Sequence, residues 1–365
     1  MFDRRLVINF DWVLLITVCC LAGVGILNLY STTAGWAEHS TPFYLKQSLW
    51  LGGGVLLALL LCCFDYRHLE HFSIPAYLLT LGMLLFVLLL GKTSMGATRW
   101  INLGFFNLQP SEVAKLVIIL VLSRIFGRTA LPEGYRLRDL WWPALLLAIP
   151  FVLIIKQPDL GTALMVVFIA ASMLLFAGLQ RNTLIALAVA GGMTSFAGWF
   201  MLHDYQKARI LTFLNPEADP LGSGYHIIQS KIAVGSGGFW GRGFMAGTQS
   251  QLSFLPERHT DFAFSVFAEE WGFSGCLLLL LGYLFLIVWG IYVARRAADR
   301  FGMFLAFGVT AMIFWHIVVN LGMVIGLMPV VGVPLPLFSY GGTSMITTMF
   351  GVGLLMNVSM RRFMF

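Results

Sequence analysis

The sequence predicts an all-α integral membrane protein: a polytopic bundle of about ten transmembrane helices, with a large extracytoplasmic loop between the seventh and eighth. Three observations predict it. Of 365 residues, 59% are hydrophobic and 11% charged, whereas an ordinary soluble domain carries about 25% charge. The apolar residues gather in runs close to the roughly 20 that a helix needs to cross a bilayer. Those runs are continuous rather than alternating, which excludes a membrane barrel.

Taken in order, the first five runs lie near Phe10 to Tyr30, Phe43 to Phe64, Phe72 to Leu90, Ser111 to Phe126 and Leu140 to Ile155. The other five lie near Gly161 to Gly178, Thr183 to Leu202, Phe262 to Val293, Gly302 to Leu327 and Gly341 to Met360. The first is too long for the apolar region of a signal peptide, and further spans follow at once, so it reads as a retained helix. The fourth and fifth are short, with soft boundaries. The eighth is long enough to tilt or to project beyond the bilayer.

An even number of spans puts both termini on one face. That face collects the N-terminus, the turns at Arg67 and Arg181, the Arg124 to Asp139 loop, the Arg295 to Arg300 turn and the C-terminal tail. It carries 13 Arg and no Lys. The opposite short loops carry only Lys46, Lys92, Arg99 and Lys156. By the positive-inside rule the Arg-rich face is cytoplasmic, with both termini inside. The net charge of +6 therefore reports topology, and no nucleic-acid partner is expected. Cys19, Cys20, Cys62, Cys63 and Cys276 all sit in apolar runs without metal-type spacing, and read as small buried hydrophobes.

One segment, 203–261, is long and not plainly transmembrane; the orientation places it outside the cytoplasm. The chain thus reads as a single transmembrane domain, 1–365, with this loop carrying part of the active site. Turn chemistry appears at Asn215-Pro216 and at Asp219-Pro220-Leu221-Gly222. Tyr225 to Val234 sets Tyr225, Ile228 and Ile232 at helical spacing, which fits a short amphipathic helix at the membrane surface or an ordinary helix of a folded loop. Two further glycine- and proline-rich outer loops, Gly91 to Pro110 and Met328 to Tyr340, place the elaborate chemistry on the same side. Gly91-Lys92-Thr93 ends like a phosphate-binding loop, but Phe86 stands where the upstream glycine is required.

The charges inside or beside apolar runs need explaining. Glu112 and Lys115 are three residues apart, so a helix puts them on one face. A charge deep in a bilayer costs roughly 2.5 to 3.5 kcal/mol and usually marks function; a structural pair and a substrate contact both fit. Lys156 and Asp159 read as an interfacial turn. Glu269 and Glu270 enter the eighth run, where one could pair with a cation across the bundle. FLPERHTDF, Phe254 to Phe262, concentrates Glu257, Arg258, His259 and Asp261 just before that run. Asp261 fits either a general base, given partial burial to raise its pKa, or a helix cap shared with Thr260.

Five blocks carry a resemblance: RWINLGFFNLQPSEVAKL, QPDLGTA, DPLGSGYHIIQSKIAVGSGG, GTQSQLSFLPERHTDFAFSVFAEEWG and NLGMVIGLMPVVGVPLPLFSYGGTS. In this order, from Arg99 to Ser344, they resemble the SEDS family of bacterial envelope proteins, and the short ends look most like its cell-elongation members. The resemblance implies an inner-membrane glycosyltransferase that polymerises lipid II into peptidoglycan by an inverting reaction. It places the family's essential aspartate on Asp261 and its acid–base pair on Glu112 and Lys115. Arg99, Lys231, Arg242 and Arg258 are then candidate cations for the lipid pyrophosphate, with no certain cofactor but a divalent ion, Mg or Mn, as a candidate aid. The partners implied are lipid II, the lipid-linked glycan, a class B penicillin-binding transpeptidase and other elongation-complex membrane proteins. Two rivals stand beside this reading: a lipid II flippase, and a non-catalytic scaffold for the transpeptidase.

Overall fold

The computed structural model describes residues 8–33, 41–94, 97–102, 104, 107–201, 204–219, 222–247 and 257–363. The first helices are α1 (Trp12–Thr33), α2 (Phe43–Cys63) and α3 (Arg67–Leu90). An antiparallel sheet follows, β1 (Lys92–Ser94), β2 (Ala97–Asn102) and β3 (Asn107–Leu108), and leads into α4 (Pro110–Arg128). Next come α5 (Trp141–Lys156), α6 (Leu160–Ala177), α7 (Arg181–Met201), α8 (Asp204–Leu214) and α9 (Ser223–Ser236). The chain closes with α10 (Ala263–Arg295), α11 (Arg300–Val324) and α12 (Gly342–Met360).

Among the described residues, nine helices are long and apolar enough to cross a membrane. The exception among the expected spans is α4, which carries Glu112, Lys115, Arg124 and Arg128. The bundle tolerates those charges because α4 is central: it packs against α3, α6 and α11. Every residue from 110 to 123 except Val113 is buried. Its neighbours are protein rather than lipid, so its polar groups find partners. The cysteines split the other way: Cys62 is buried, whereas Cys19, Cys20 and Cys63 lie on the outside of the bundle. There lipid rather than protein shields them, which corrects their reading as core residues.

The helix α10 is broken. Gly272 sits at φ 63° and ψ −162°, which frees backbone groups on both sides. The glycine-rich segment after α9 takes them up. Arg242 and Gly243 donate N–H bonds of 3.0 Å to the carbonyls of Glu269 and Glu270. In return the N–H groups of Phe273 and Ser274 donate to the carbonyls of Gly238 and Phe239, at 2.9 and 3.0 Å. A Cβ on Gly272 would lie 2.2 Å from the Gly241 nitrogen, so only glycine lets the two backbones approach.

The helix α9 forms as its spacing predicts but packs through a different face. Ile227, Ser230 and Ala233 are buried against α10 and α11, and Ser230 Oγ bonds Ser265 Oγ at 2.8 Å and the Val324 carbonyl at 2.7 Å. Of the stripe Tyr225, Ile228 and Ile232, the first two are half-buried and Ile232 is exposed. The small residues win because they let the helix sit close to its neighbours.

The Arg-rich end is tied by side chains. Asp299 caps α11 through Gly302 N–H at 2.7 Å, and also accepts from Tyr66 Oη and from Arg67 Nε at 3.2 Å. Arg128 pairs with Glu70 at 2.6 Å, and Arg361 with Asp65 at 3.6 Å. The loops and sheet of interest lie at the other end.

Candidate active site

At that other end α2, α4, α6, α10 and α12 all begin, so five helix N-termini surround one region. The segment from Met328 to Gly341 crosses it and is bolted down on several sides. Gln47 donates to the Ser339 carbonyl at 3.0 Å and accepts from Gly341 N–H at 3.3 Å. Tyr283 Oη donates to the Pro336 carbonyl at 2.7 Å. The His259 carbonyl accepts from Tyr340 N–H at 2.9 Å, and Phe43 stacks on the His259 ring at 4.7 Å.

Beneath this segment lies a cavity of about 190 Å³. Asp261, Thr260, Glu112, Lys115, Arg99, Trp100, Asp159 and Thr343 are among its lining residues. Four of the residues singled out in the sequence, Asp261, Glu112, Lys115 and Arg99, therefore meet in one place. Lys231, Arg242 and Arg258 do not line it. Lys231 is exposed on α9 beside Gly326, Arg242 approaches the Glu269 carboxylate at 4.0 Å, and Arg258 is buried, which lowers its hold on its proton.

Asp261 is half-buried and precedes α10. Phe262 holds the N-cap position, with no side-chain cap bond, so neither Thr260 nor Asp261 serves as the cap. The Thr260 hydroxyl instead donates to Glu257 at 2.9 Å. Asn320 fixes the backbone here: its amide donates to the carbonyls of Asp261 at 2.9 Å and Val333 at 2.8 Å, joining the two walls of the cavity. Gly332, at φ 75°, faces the carboxylate; a Cβ there would lie 3.5 Å from Asp261 Oδ2. Burial pushes the Asp261 carboxyl up to about 6 from 3.8; Glu257 adds to the rise and Arg209 opposes it.

Glu112 and Lys115 form a direct pair, with Lys115 Nζ donating to Glu112 Oε1 at 2.6 Å. Both are buried, at 6% and 1% exposure. The ammonium also donates to His316 Nε2 at 2.6 Å. Asp159 is no loose interfacial charge. It caps α6 through Thr162 N–H at 3.3 Å, and its other oxygen accepts from Gln109 at 3.0 Å and Ser111 at 3.2 Å. Arg99 closes over the same turn, donating to the carbonyls of Gln157 and Pro158 and lying 3.9 Å from Asp159. Glu270 accepts from Ser31, and Glu269 faces Arg242.

Sequence reasoning missed His316, Asn320, Trp100 and Arg209. His316 is an isolated polar residue in an apolar helix and carries no motif of its own, whereas Asn320 opens the last of the five blocks but was given no role there. Trp100 stood in the first of those blocks and Arg209 in the 203–261 segment, but nothing in their spacing pointed to the cavity or to Asp261. Among the described residues, no group of three or more His, Cys, Asp or Glu side chains gathers to hold a metal.

A second cavity of about 770 Å³ adjoins the first and shares Trp100, Thr260, Tyr340, Gly341 and Thr343 with it. Lys46 and Trp50 stand on its far side. It continues through Gly342, Thr343 and Ile346 into an apolar groove of about 350 Å³ between α3, α4 and α12, lined by Phe72, Val113, Leu116 and Phe350 among others. The arrangement thus sets an acid–base centre beside a larger chamber of mixed, aromatic-rich lining, which in turn adjoins a greasy slot.

A family described as "Cell cycle protein", of the FtsW, RodA and SpoVE type, matches residues 11–363. The peptidoglycan glycosyltransferase MrdB of Escherichia coli (strain K12) is 42% identical over 339 residues, covering 92% of this chain and 91% of that protein. The peptidoglycan glycosyltransferase RodA of Treponema pallidum is 33% identical, covering 98% of this chain and 99% of that one. Among solved structures, one described as showing structural coordination of polymerization and crosslinking by a peptidoglycan synthase complex superposes with a TM-score of 0.83. It is 36% identical and covers 98% of this chain and 99% of that one. The crystal structure of the Thermus thermophilus rod shape determining protein RodA superposes with a TM-score of 0.72 at 32% identity, covering 98% of both chains.

Proposed function

The chain belongs to the FtsW, RodA and SpoVE family of multi-pass membrane proteins, also called SEDS, and on that premise we infer that it is a peptidoglycan glycosyltransferase of the RodA type. Its substrate is lipid II, polymerised at the outer face of the bacterial cytoplasmic membrane during elongation. The observation that carries this reading is the cavity that brings Asp261 and Lys115 together, adjoining a larger aromatic-rich chamber and an apolar groove. The groove suits a polyprenyl tail, and the chamber suits sugars that stack on Trp100 or Trp50.

The acceptor's 4-hydroxyl oxygen attacks the anomeric carbon of the donor, and the bond from that carbon to the lipid pyrophosphate breaks. The hydroxyl proton passes to the Asp261 carboxylate, whose pKa near 6 makes it a better base than a solvated aspartate while leaving it ionised at neutral pH. One displacement inverts the carbon, so no second carboxylate nucleophile is required. Lys115, with two of its donors held by protein, offers its remaining N–H to a pyrophosphate oxygen. Arg99 braces the wall through the 157–159 turn. A divalent ion, Mg or Mn, would neutralise pyrophosphate charge when bound; among the described residues no side-chain cluster gathers to hold it, so substrate oxygens and water would supply most of its ligands. The segment 203–261 then faces outward, with both termini cytoplasmic, and the transpeptidase partner is a class B penicillin-binding protein.

A flippase would set its ionisable groups along a path at the midplane. Here the ionisable groups that line the cavity lie toward the end where the loops and sheet gather, which favours surface chemistry. The test is glycan-chain formation from lipid II by the purified chain with its transpeptidase, comparing wild type with Asp261→Asn at equal folded amounts. Loss of the base should lower the rate about 10² to 10⁴-fold with folding intact. An Asn variant that polymerises at the wild-type rate would remove Asp261 from the chemistry.

A further inference from the structure

His316 lies on α11, 5% exposed, and is not among the residues that line the cavity. Its two ring nitrogens have different partners. Nδ1 is 2.7 Å from the Met312 carbonyl, and Nε2 is 2.6 Å from Lys115 Nζ. A carbonyl only accepts, so Nδ1 must carry the proton. An ammonium only donates, so Nε2 must present its lone pair. The two contacts together fix a neutral imidazole in one tautomer.

That imidazole determines where Lys115 points. An ammonium has three donors on a flexible stem. Glu112 takes one at 2.6 Å and His316 takes another at 2.6 Å, from a different helix. With both directions occupied the third N–H has one course left, into the cavity that Lys115 lines with Asp261. Glu112 alone could not do this, because a single ion pair three residues away on the same helix leaves the ammonium free to swing about that bond.

We propose that His316 is a positioning residue for glycosyl transfer: a neutral acceptor that, with Glu112, aims the third Lys115 donor at an oxygen of the bound lipid pyrophosphate. The inference rests on the glycosyltransferase reading above. It goes beyond it in giving a role to a side chain that never touches substrate.

The experiment compares His316→Gln, whose amide oxygen restores a neutral acceptor, with His316→Leu, which has none. His316→Phe, which keeps a ring of similar size, serves if Leu does not fold. Each is purified with the transpeptidase and assayed for lipid II polymerisation, with thermal stability measured in parallel. Losing the acceptor should lower kcat about 10- to 100-fold, as misplacement of a reacting group by about 1 Å does. His316→Gln should recover most of the rate. In a Lys115→Met background, removing the acceptor should change kcat by less than about twofold, because the two residues act as one unit.

Wild-type kcat in the Leu or Phe variant overturns the proposal. So does a further full loss in the Lys115→Met background, or an equal loss in Gln and Leu, since either marks a role in packing alone. An inactive wild type would instead strike at the glycosyltransferase reading itself.

Discussion

Burial sets the acidity of Asp261. With its carboxyl near 6, the ionised form that accepts a proton dominates above that pH. The rate should therefore fall roughly tenfold per unit as pH drops below about 6 and level off above it. Removing the opposing cation with Arg209→Gln should move this limb to higher pH, and Glu257→Gln should move it lower. A limb that stays in place in both variants would show that another group sets it. The Glu112–Lys115 pair is buried deeply enough that breaking it from either side should cost about 3 to 5 kcal/mol in stability, because one charge is left alone. A double-mutant cycle with Glu112→Gln and Lys115→Met should give strongly non-additive losses. Exchanging the two, Glu112→Lys with Lys115→Glu, should not recover the protein. The new carboxylate would face the lone pair of His316 Nε2 where an ammonium now donates.

At the scale of elements, the break in α10 shows how a membrane helix can interrupt its own hydrogen bonding. The carbonyls of Glu269 and Glu270 and the N–H groups of Phe273 and Ser274 find partners in the 238–243 segment, so the interruption leaves those groups satisfied. Gly272 makes this arrangement possible. Gly272→Ala would force a side chain into a backbone region used almost only by glycine, at a cost of about 1 to 3 kcal/mol, and drive a methyl against Gly241. We expect a lower melting temperature and easier proteolysis between Gly235 and Gly247, read by limited digestion in detergent. Gly82, whose Cβ would meet nothing within 4 Å, is the control and should tolerate alanine with little change.

Across the whole molecule, alternating helix directions separate two ends with different chemistry. One carries Arg67, Arg128 and Arg361 in ion pairs; the other carries the cavity. If the Arg-rich end is cytoplasmic, a reporter fused after Phe365 should read as cytoplasmic and one inserted near Gly222 as external. An internal reading at Gly222 would put Asp261 on the wrong side for lipid II polymerisation.

The sequence by itself determined the helical membrane class and nine spans that the described residues show. Apolar run length and charge avoidance are local properties, and a bilayer reads them locally. It also placed Asp261, Glu112, Lys115 and Arg99 on one side, because helix ends follow from span order. What it could not settle was which polar residues meet. The fourth run looked like a short span with a costly charge, and only the packing of α3, α6 and α11 around it revealed a central helix with a partnered pair. The helical spacing of Tyr225, Ile228 and Ile232 in α9 was legible as periodicity, yet its fully buried face is made of Ile227, Ser230 and Ala233. The partners of His316 and Asn320 carried no signal, since each bonds to residues far away in the chain: His316 to Lys115, and Asn320 to the backbone of Asp261. Contacts between helices depend on which faces the bundle turns inward, and a periodic apolar sequence leaves that choice to tertiary packing.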